Sequence, residues 1–199
     1  MKILLASLVL AFSVSSYAEG CNKASWVFPP KLEDKTLTLR IKGTCTLDKI
    51  GNFESLKDHY VKQVSLNSDV VQVHSTNENS TVDGLKATEI DSTIDQKAEE
   101  DEMTVRYVTK VGTDGTARLV FDQDSKKFVK TKGNTKYLTR LYTNINVKKG
   151  PNGVVIEMVQ ETKITHPMIS WGMDQAMEGV QKGFKQTLQD TFQDISVNF

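Results

Sequence analysis

The C-terminal part of the chain has the most regular pattern of apolar and polar positions. Apolar residues recur at steps of three or four between Pro167 and Ile195, with polar residues at most positions between them. This spacing places the apolar side chains on one face of a single α-helix. The predicted stripe consists of Met173, Met177, Val180, Phe184, Leu188, Phe192 and Ile195. A helix of roughly 27 residues would be about 40 Å long, so we expect a large sheet to cover this stripe.

The region before this helix alternates between apolar and polar residues, as half-buried strands do. A short helix interrupts the alternation at Phe53–Val64, and Asn52 is its expected N-cap. Strands are predicted at Thr36–Leu47, Val70–His74, Leu85–Ile94, Met103–Val111 and Ala117–Phe121. The polar residues 77–80 and the acidic residues 99–102 are expected to be solvent-exposed connections between strands.

The last two strands are predicted to form a hairpin. Alternation extends over Tyr137–Val147 and again over Val154–Ile164, with the turn sequence Gly150–Gly153 between them. The face expected to point inward includes the polar residues Thr139, Thr143, Gln160 and Thr162. Polar groups on an inward face are consistent with a wet cavity, because an unpaired buried group costs about 1 to 3 kcal/mol. The alternative explanation is that these residues sit at strand ends or form local hydrogen bonds.

The N-terminus has the pattern of a secretory signal peptide. Lys2 precedes the apolar run Ile3–Val14, and small residues stand before a predicted cleavage site after Ala18. We therefore expect residues 1–18 to be a signal peptide, 19–35 an extended arm and 36–199 a single domain. No apolar stretch reaches the roughly 20 residues of a transmembrane helix. The pattern predicts an exported protein, either periplasmic or secreted.

Cys21 and Cys45 are the only two cysteines in the chain. An even count in an oxidising compartment predicts a disulfide between them, which would stabilise the fold by about 3 kcal/mol. Lipidation of Cys21, which lies just after the signal peptide, is the alternative.

Charge and motifs exclude several functional classes. The 25 basic and 25 acidic residues balance and alternate along the chain, which argues against a nucleic-acid partner. His59, His74 and His166 have no further ligand at metal-binding spacing, so neither a metal nor another cofactor is predicted. No nucleophile or nucleotide-binding motif occurs, and no catalytic residue is assigned.

The order of elements resembles the helix-grip superfamily, which includes START lipid-transfer domains and polyketide-cyclase-like proteins. The resemblance is based on the strand Thr36–Leu47, the helix Phe53–Val64, the hairpin Tyr137–Ile164 and the helix Trp171–Ile195. It implies an α+β fold in which a curved antiparallel sheet of about seven strands wraps around the C-terminal helix. Members usually have two short helices after the first strand, whereas only one is predicted here.

The resemblance also implies a pocket between the sheet and the long helix that holds a lipid or another apolar small molecule. Seven residues are expected to line it: Tyr137, Leu141, Met158, Gln160, Trp171, Met177 and Phe184. Core packing is an alternative explanation for the methionines. Two other functions stay open, namely a cyclase- or hydrolase-type enzyme that uses the same pocket and a pocketless envelope protein that acts through its surface. The sequence does not indicate a protein partner.

Overall fold

A computed structural model of the chain describes residues 21, 24–48, 50–98 and 101–199. The predicted signal peptide, residues 1–18, lies outside the described residues. Over the described residues the fold is α+β and consists of one nine-stranded antiparallel sheet and two α-helices. The strands are β1 (Ser25–Trp26), β2 (Lys31–Glu33), β3 (Thr36–Leu47), β4 (Val70–Val82), β5 (Leu85–Ala98), β6 (Asp101–Thr113), β7 (Arg118–Lys132), β8 (Leu138–Gly150) and β9 (Gly153–Thr165). The helices are α1 (Phe53–Leu66) and α2 (Met173–Asn198), with 3₁₀ helices at Gly133–Tyr137 and Ile169–Trp171.

The sheet is open and follows the order β1-β3-β9-β8-β7-β6-β5-β4, with β2 also paired to β3. It has two strands more than expected because the N-terminal arm adds β1 and β2 to β3. Trp26 of this arm packs against the core. The disulfide predicted between Cys21 and Cys45 is present and joins the arm to β3.

The first helix forms as the sequence predicts and extends two residues further. Asn52 Oδ1 accepts hydrogen bonds from the backbone N–H groups of Glu54 at 2.8 Å and Ser55 at 3.3 Å, which caps the helix. The buried face is the predicted one and consists of Phe53, Leu56, Tyr60 and Val64.

The sequence predicts that the long C-terminal helix starts between Pro167 and Ser170, but it begins at Met173, after the short 3₁₀ turn. Five residues of the predicted stripe are buried, namely Val180, Phe184, Leu188, Phe192 and Ile195. Met173 and Met177, nearer the helix start, are partly buried. The helix lies close against β3 at Gly43, where an added Cβ would be 2.6 Å from Leu188 Cδ2 and 3.0 Å from Phe184 Cε1.

Residues 77–80 are not a loop, contrary to the sequence prediction. They continue β4, which pairs with β5 as far as the tight turn at Asp83 and Gly84. Most side chains of β4 are exposed on both faces, so this edge strand is held by backbone hydrogen bonds and lacks an alternating pattern. Asp101 and Glu102, also predicted to be loop residues, begin β6 and pair with the end of β5.

The alternation predicted for β8 is broken at its start. Leu138 pairs with Ile164 and Arg140 pairs with Lys163, with a register shift between them. As a result Thr139, which was expected to point inward, is exposed, and its Oγ1 donates to Lys163 O at 3.3 Å. Irregularities of this kind re-aim the side chains of one strand. Leu138 and Leu141 are both buried instead.

Candidate functional site

The inner face of the sheet, which packs against α1 and α2, has a polar row across its apolar core. Four residues on four neighbouring strands stand directly opposite one another: Thr109 pairs with Gln123, Gln123 with Thr143, and Thr143 with Gln160. We call these four residues the inner polar row. Apolar residues flank it at both ends, because Thr109 pairs with Ile90 and Gln160 pairs with Ile41.

The inner polar row is uncharged and largely shielded from solvent. Thr109, Gln123 and Gln160 are buried, and Thr143 is half-buried. Gln123 Nε2 donates to Thr109 Oγ1 at 3.0 Å. A row of amides and hydroxyls between apolar layers can bind a polar group on an otherwise apolar molecule.

Three further buried hydroxyls have no hydrogen-bond partner among the described residues. They are Ser92 Oγ on β5, Thr162 Oγ1 on β9 and Tyr60 Oη on α1. Burial and the nearby charge of Asp194 raise the pKa of Tyr60, so its phenol remains a neutral O–H donor. An unpaired buried polar group lowers the stability of the fold by about 1 to 3 kcal/mol. Apolar side chains at the same positions would avoid this loss.

The helix α2 contributes one buried carboxylate oxygen. Asp190 Oδ1 accepts from Gln186 Nε2 at 2.8 Å, whereas Oδ2 is buried and has no partner among the described residues. Burial raises the pKa of Asp190. Asp194 lies one turn further along the helix, and its Oδ2 is 3.0 Å from His59 Nε2 on α1. Asp194 therefore faces α1, and Asp190, four residues earlier, lies on the same flank of α2.

The seven residues predicted to line a pocket occupy three environments. Leu141, Met158, Gln160 and Phe184 are buried, and Met158 stands opposite Gly43, against which Phe184 packs. Tyr137 and Met177 are partly buried at the margin of the core. Trp171 is 87% exposed. Whether any of these residues contacts a ligand stays a prediction.

Sequence reasoning missed Ser92 and Gln123 as candidate site residues. A signal for both exists in the alternation, since Ser92 is in phase with Ile90 and Ile94, and Gln123 is in phase with Phe121. The alternation does not predict which residues stand opposite each other on neighbouring strands, so it could not align Gln123 with Thr109 and Thr143.

The histidines occupy three separate places. His59 pairs with Asp194, His74 Nε2 lies 2.8 Å from Thr93 Oγ1, and the His166 ring meets the Tyr137 ring edge-on at 4.1 Å between centroids. Within the described part of the chain, no group of three or more His, Cys, Asp or Glu side chains could hold a metal ion. Over the same residues, no helix is long and apolar enough to cross a membrane.

The curved antiparallel sheet and the long C-terminal helix define a helix-grip fold, in agreement with the resemblance found in the sequence. Similar solved structures include a STAR-related lipid transfer protein from Xanthomonas axonopodis (12% identity, TM-score 0.47, 85% of this chain and 96% of that chain). A START superfamily protein from Mycobacterium smegmatis is also similar (6% identity, TM-score 0.43, 80% of this chain and 99% of that chain). The di-domain ARO/CYC StfQ from the steffimycin biosynthetic pathway is 12% identical, with a TM-score of 0.40.

For StfQ the similarity covers 76% of this chain and 46% of the StfQ chain. This chain thus spans about half the length of that two-domain protein. Neither a protein-family profile nor a curated protein sequence matches the chain.

Proposed function

We propose that this protein is an exported binding protein for a lipid or another apolar small molecule, held between the inner face of the sheet and α2. The apolar body of the ligand would pack against the stripe of α2, and its polar group would bond to the inner polar row. The row contains no charged residue, so the preferred ligand carries an uncharged hydroxyl, carbonyl or amide group.

The observation that carries this proposal is the inner polar row together with the unpartnered hydroxyls of Ser92 and Thr162 beside it. Gln123 and Gln160 are only 3% exposed, so the arrangement is not a strand surface in contact with solvent. Protein cores are normally filled with apolar side chains, and the polar groups that are buried in them are normally hydrogen-bonded. A polar group on a bound ligand would satisfy the groups that the fold leaves unpaired.

Two observations support export. The first is the signal-peptide pattern of residues 1–18. The second is the disulfide between Cys21 and Cys45, because disulfides persist in oxidising compartments and are rare in the cytosol.

The first experiment is native mass spectrometry of the mature protein purified without detergent from the cells that export it. We expect a reproducible adduct of lipid size that is released on denaturation. Denaturing mass analysis of the same sample gives the mass of the mature N-terminus, which tests cleavage after Ala18 and excludes or detects lipidation at Cys21. A protein that never carries an adduct, and that binds no lipid from an extract of the same cells, would refute the proposal.

The double variant Thr109→Val with Gln123→Leu tests the inner polar row directly. It replaces both partners of one buried hydrogen bond by apolar groups of similar shape, a change that is often nearly neutral for stability. We expect the ratio of loaded to empty protein to fall about tenfold or more, because a polar contact worth about 1.4 kcal/mol accounts for a factor of ten in the dissociation constant. Gln193→Leu, on the exposed side of α2, is the matched control and should leave occupancy unchanged.

A second candidate function is an enzyme of cyclase or hydrolase type that uses the same site. The observation that favours it is Asp190, whose Oδ2 is buried without a partner and whose pKa is raised by burial, as in many general acids and bases. If Asp190 acts in this way, Asp190→Asn should retain the bound molecule but accumulate it unconverted. An unchanged chemical identity of the adduct in wild type and variant would remove this candidate.

A further inference from the structure

Tyr60 has a buried hydroxyl for which the fold provides no partner. Its side chain lies on the buried face of α1 and is 5% exposed, and Oη makes no hydrogen bond to any of the described residues. A phenylalanine would fill nearly the same space without the unpaired group, whose burial destabilises a folded protein. An unpaired donor of this kind indicates an acceptor that comes from outside the chain.

Tyr60 contacts the inner face of the sheet close to the inner polar row. The centroid of its ring is 5.3 Å from the centroid of the Phe121 ring on β7. Gln123, a member of the row, is two residues further along β7 and is buried on the same face, about 7 Å from Phe121 along the strand. The phenol of Tyr60 and the amide of Gln123 therefore lie in the same part of the core, the first on a helix and the second on the sheet.

The helix α2 borders the same part of the core. Asp194 Oδ2 is 3.0 Å from Nε2 of His59, the residue before Tyr60, and Asp194 Oδ1 accepts from Asn198 Nδ2 at 2.8 Å. Burial raises the pKa of Tyr60, and the nearby carboxylate of Asp194 raises it further. The hydroxyl of Tyr60 thus lies where α1, α2 and the inner face of the sheet meet.

The charges around Tyr60 favour an uncharged ligand group. No Lys, Arg or His is among the buried residues in the described part of the chain. His59 is paired with Asp194, so this pair contributes no net positive charge. A carboxylate or phosphate bound here would be close to the negative charge of Asp194 and would lack a buried cation, which is unfavourable. A neutral oxygen could accept from Tyr60 without this repulsion.

We propose that Tyr60 is a specificity-determining residue of the inner site and that it selects neutral lipids, whose polar group is a hydroxyl or carbonyl oxygen, over fatty acids and phospholipids. This inference rests on the proposed function, because it concerns the ligand of the same site. The O–H group of Tyr60 donates to the ligand oxygen from α1, while the inner polar row contacts the same polar group from the sheet.

The test compares dodecanol with dodecanoate, which have the same chain length but differ in the charge of the polar group at a pH of about 8. Titration of the delipidated mature protein, followed by native mass spectrometry, gives a dissociation constant for each ligand. We expect the wild type to bind dodecanol at least about tenfold more tightly than dodecanoate. Tyr60→Phe should weaken the binding of dodecanol about tenfold and leave the binding of dodecanoate nearly unchanged, because only the neutral oxygen bonds to the phenol.

Tyr142→Phe is the matched control. It removes a tyrosine hydroxyl from the opposite face of the sheet, where Tyr142 Oη donates to Asp122 Oδ2 at 2.6 Å. This variant should bind both ligands as the wild type does, but its empty form should unfold at a lower temperature. The empty form of Tyr60→Phe should be at least as stable as the wild type, because the hydroxyl that it lacks is unpaired. A loss of stability as large as that of Tyr142→Phe would show that Tyr60 has a partner within the chain, and it would overturn the proposal.

Two binding results would also overturn it, namely equal affinities of the wild type and Tyr60→Phe for dodecanol, or tighter binding of dodecanoate than of dodecanol by the wild type. An acidic lipid identified as the adduct of the native protein would overturn the selectivity and leave the proposed function intact. If the wild type carries no adduct and binds neither ligand, the proposed function and this inference both fail.

Discussion

At the residue scale, the most informative groups are the buried polar ones. Asp190 has one carboxylate oxygen without a partner among the described residues. Burial raises the pKa of this carboxyl, and the hydrogen bond from Gln186 acts in the opposite direction and lowers it by less. A raised carboxyl pKa means that the folded state holds a proton more tightly than the unfolded chain does. The ionised form is therefore a source of instability at neutral pH, which is typical of a residue retained for function.

Asp190→Asn should therefore stabilise the protein at neutral pH. The folded pKa lies above the unfolded value, so the wild type loses stability as the pH rises from about 4 through the folded pKa. The advantage of the variant should grow as the pH rises, reach its full size above the folded pKa, and disappear below about pH 4, where the carboxyl is protonated in both states. Urea unfolding at a series of pH values measures this difference.

The control for this prediction is Asp174→Asn on the exposed first turn of α2. There the helix dipole favours a negative charge, so the substitution should leave stability unchanged or lower it slightly. If Asp190→Asn were less stable than the wild type at pH 7, the carboxylate would have a favourable partner and the interpretation of Asp190 would be wrong.

At the element scale, the position of α2 depends on a close approach to β3. Gly43 stands opposite Met158 in the sheet and faces Leu188 and Phe184 of the helix. Its missing side chain is required by this contact, because an added Cβ would be 2.6 Å from Leu188 Cδ2. One glycine in a strand therefore sets the distance between the sheet and the helix that covers it.

Gly43→Ala should destabilise the fold by about 1 to 3 kcal/mol, since overpacking of a close contact forces the helix or its side chains to move. Denaturant unfolding measures the loss. In the double variant Gly43→Ala with Leu188→Ala, the loss of unfolding free energy should be smaller than the sum of the losses in the two single variants. The reason is that the smaller side chain at residue 188 makes room for the new methyl group. Strict additivity would show that Leu188 does not limit the space at residue 43.

At the scale of the whole molecule, a disulfide closes the N-terminal arm onto the sheet. Cys21 and Cys45 are 24 residues apart in sequence, and Cys45 is fully buried on β3. The bond holds β1 and β2 against β3 without a large apolar interface, since β2 is exposed throughout. The arm therefore depends on a covalent link more than the rest of the sheet does.

Cys21→Ala with Cys45→Ala should lower the free energy of unfolding by about 3 kcal/mol, because the unfolded chain regains the entropy of the open loop. Urea unfolding gives the size of the loss, and the fluorescence of the partly buried Trp26 reports whether the arm detaches first. The wild type in reducing agent is the matched control and should unfold at the same denaturant concentration as the variant. A variant as stable as the oxidised wild type would contradict the prediction.

The sequence by itself determined those parts of the fold whose signal is local. The stripe of α2, the bounds of β3, the cap and face of α1 and the turn of the last hairpin could all be predicted, because amphipathic elements display their burial at fixed intervals along the chain. The Cys21–Cys45 pairing was also predictable, since only two cysteines are present. These features define the α+β class and the order of its elements.

Only the tertiary structure decided the rest. The continuation of β4 past His74 and the shift that exposes Thr139 depend on pairing with a neighbouring strand, which leaves no alternating pattern in the segment itself. The inner polar row is brought together by register, because its members lie on four strands between residues 109 and 160. The exposure of Trp171 likewise depends on where the loop before α2 leaves the sheet. The periodicity of a segment predicts which of its faces is buried. Which residues of other segments contact that face is decided only when strands distant in sequence pair with each other.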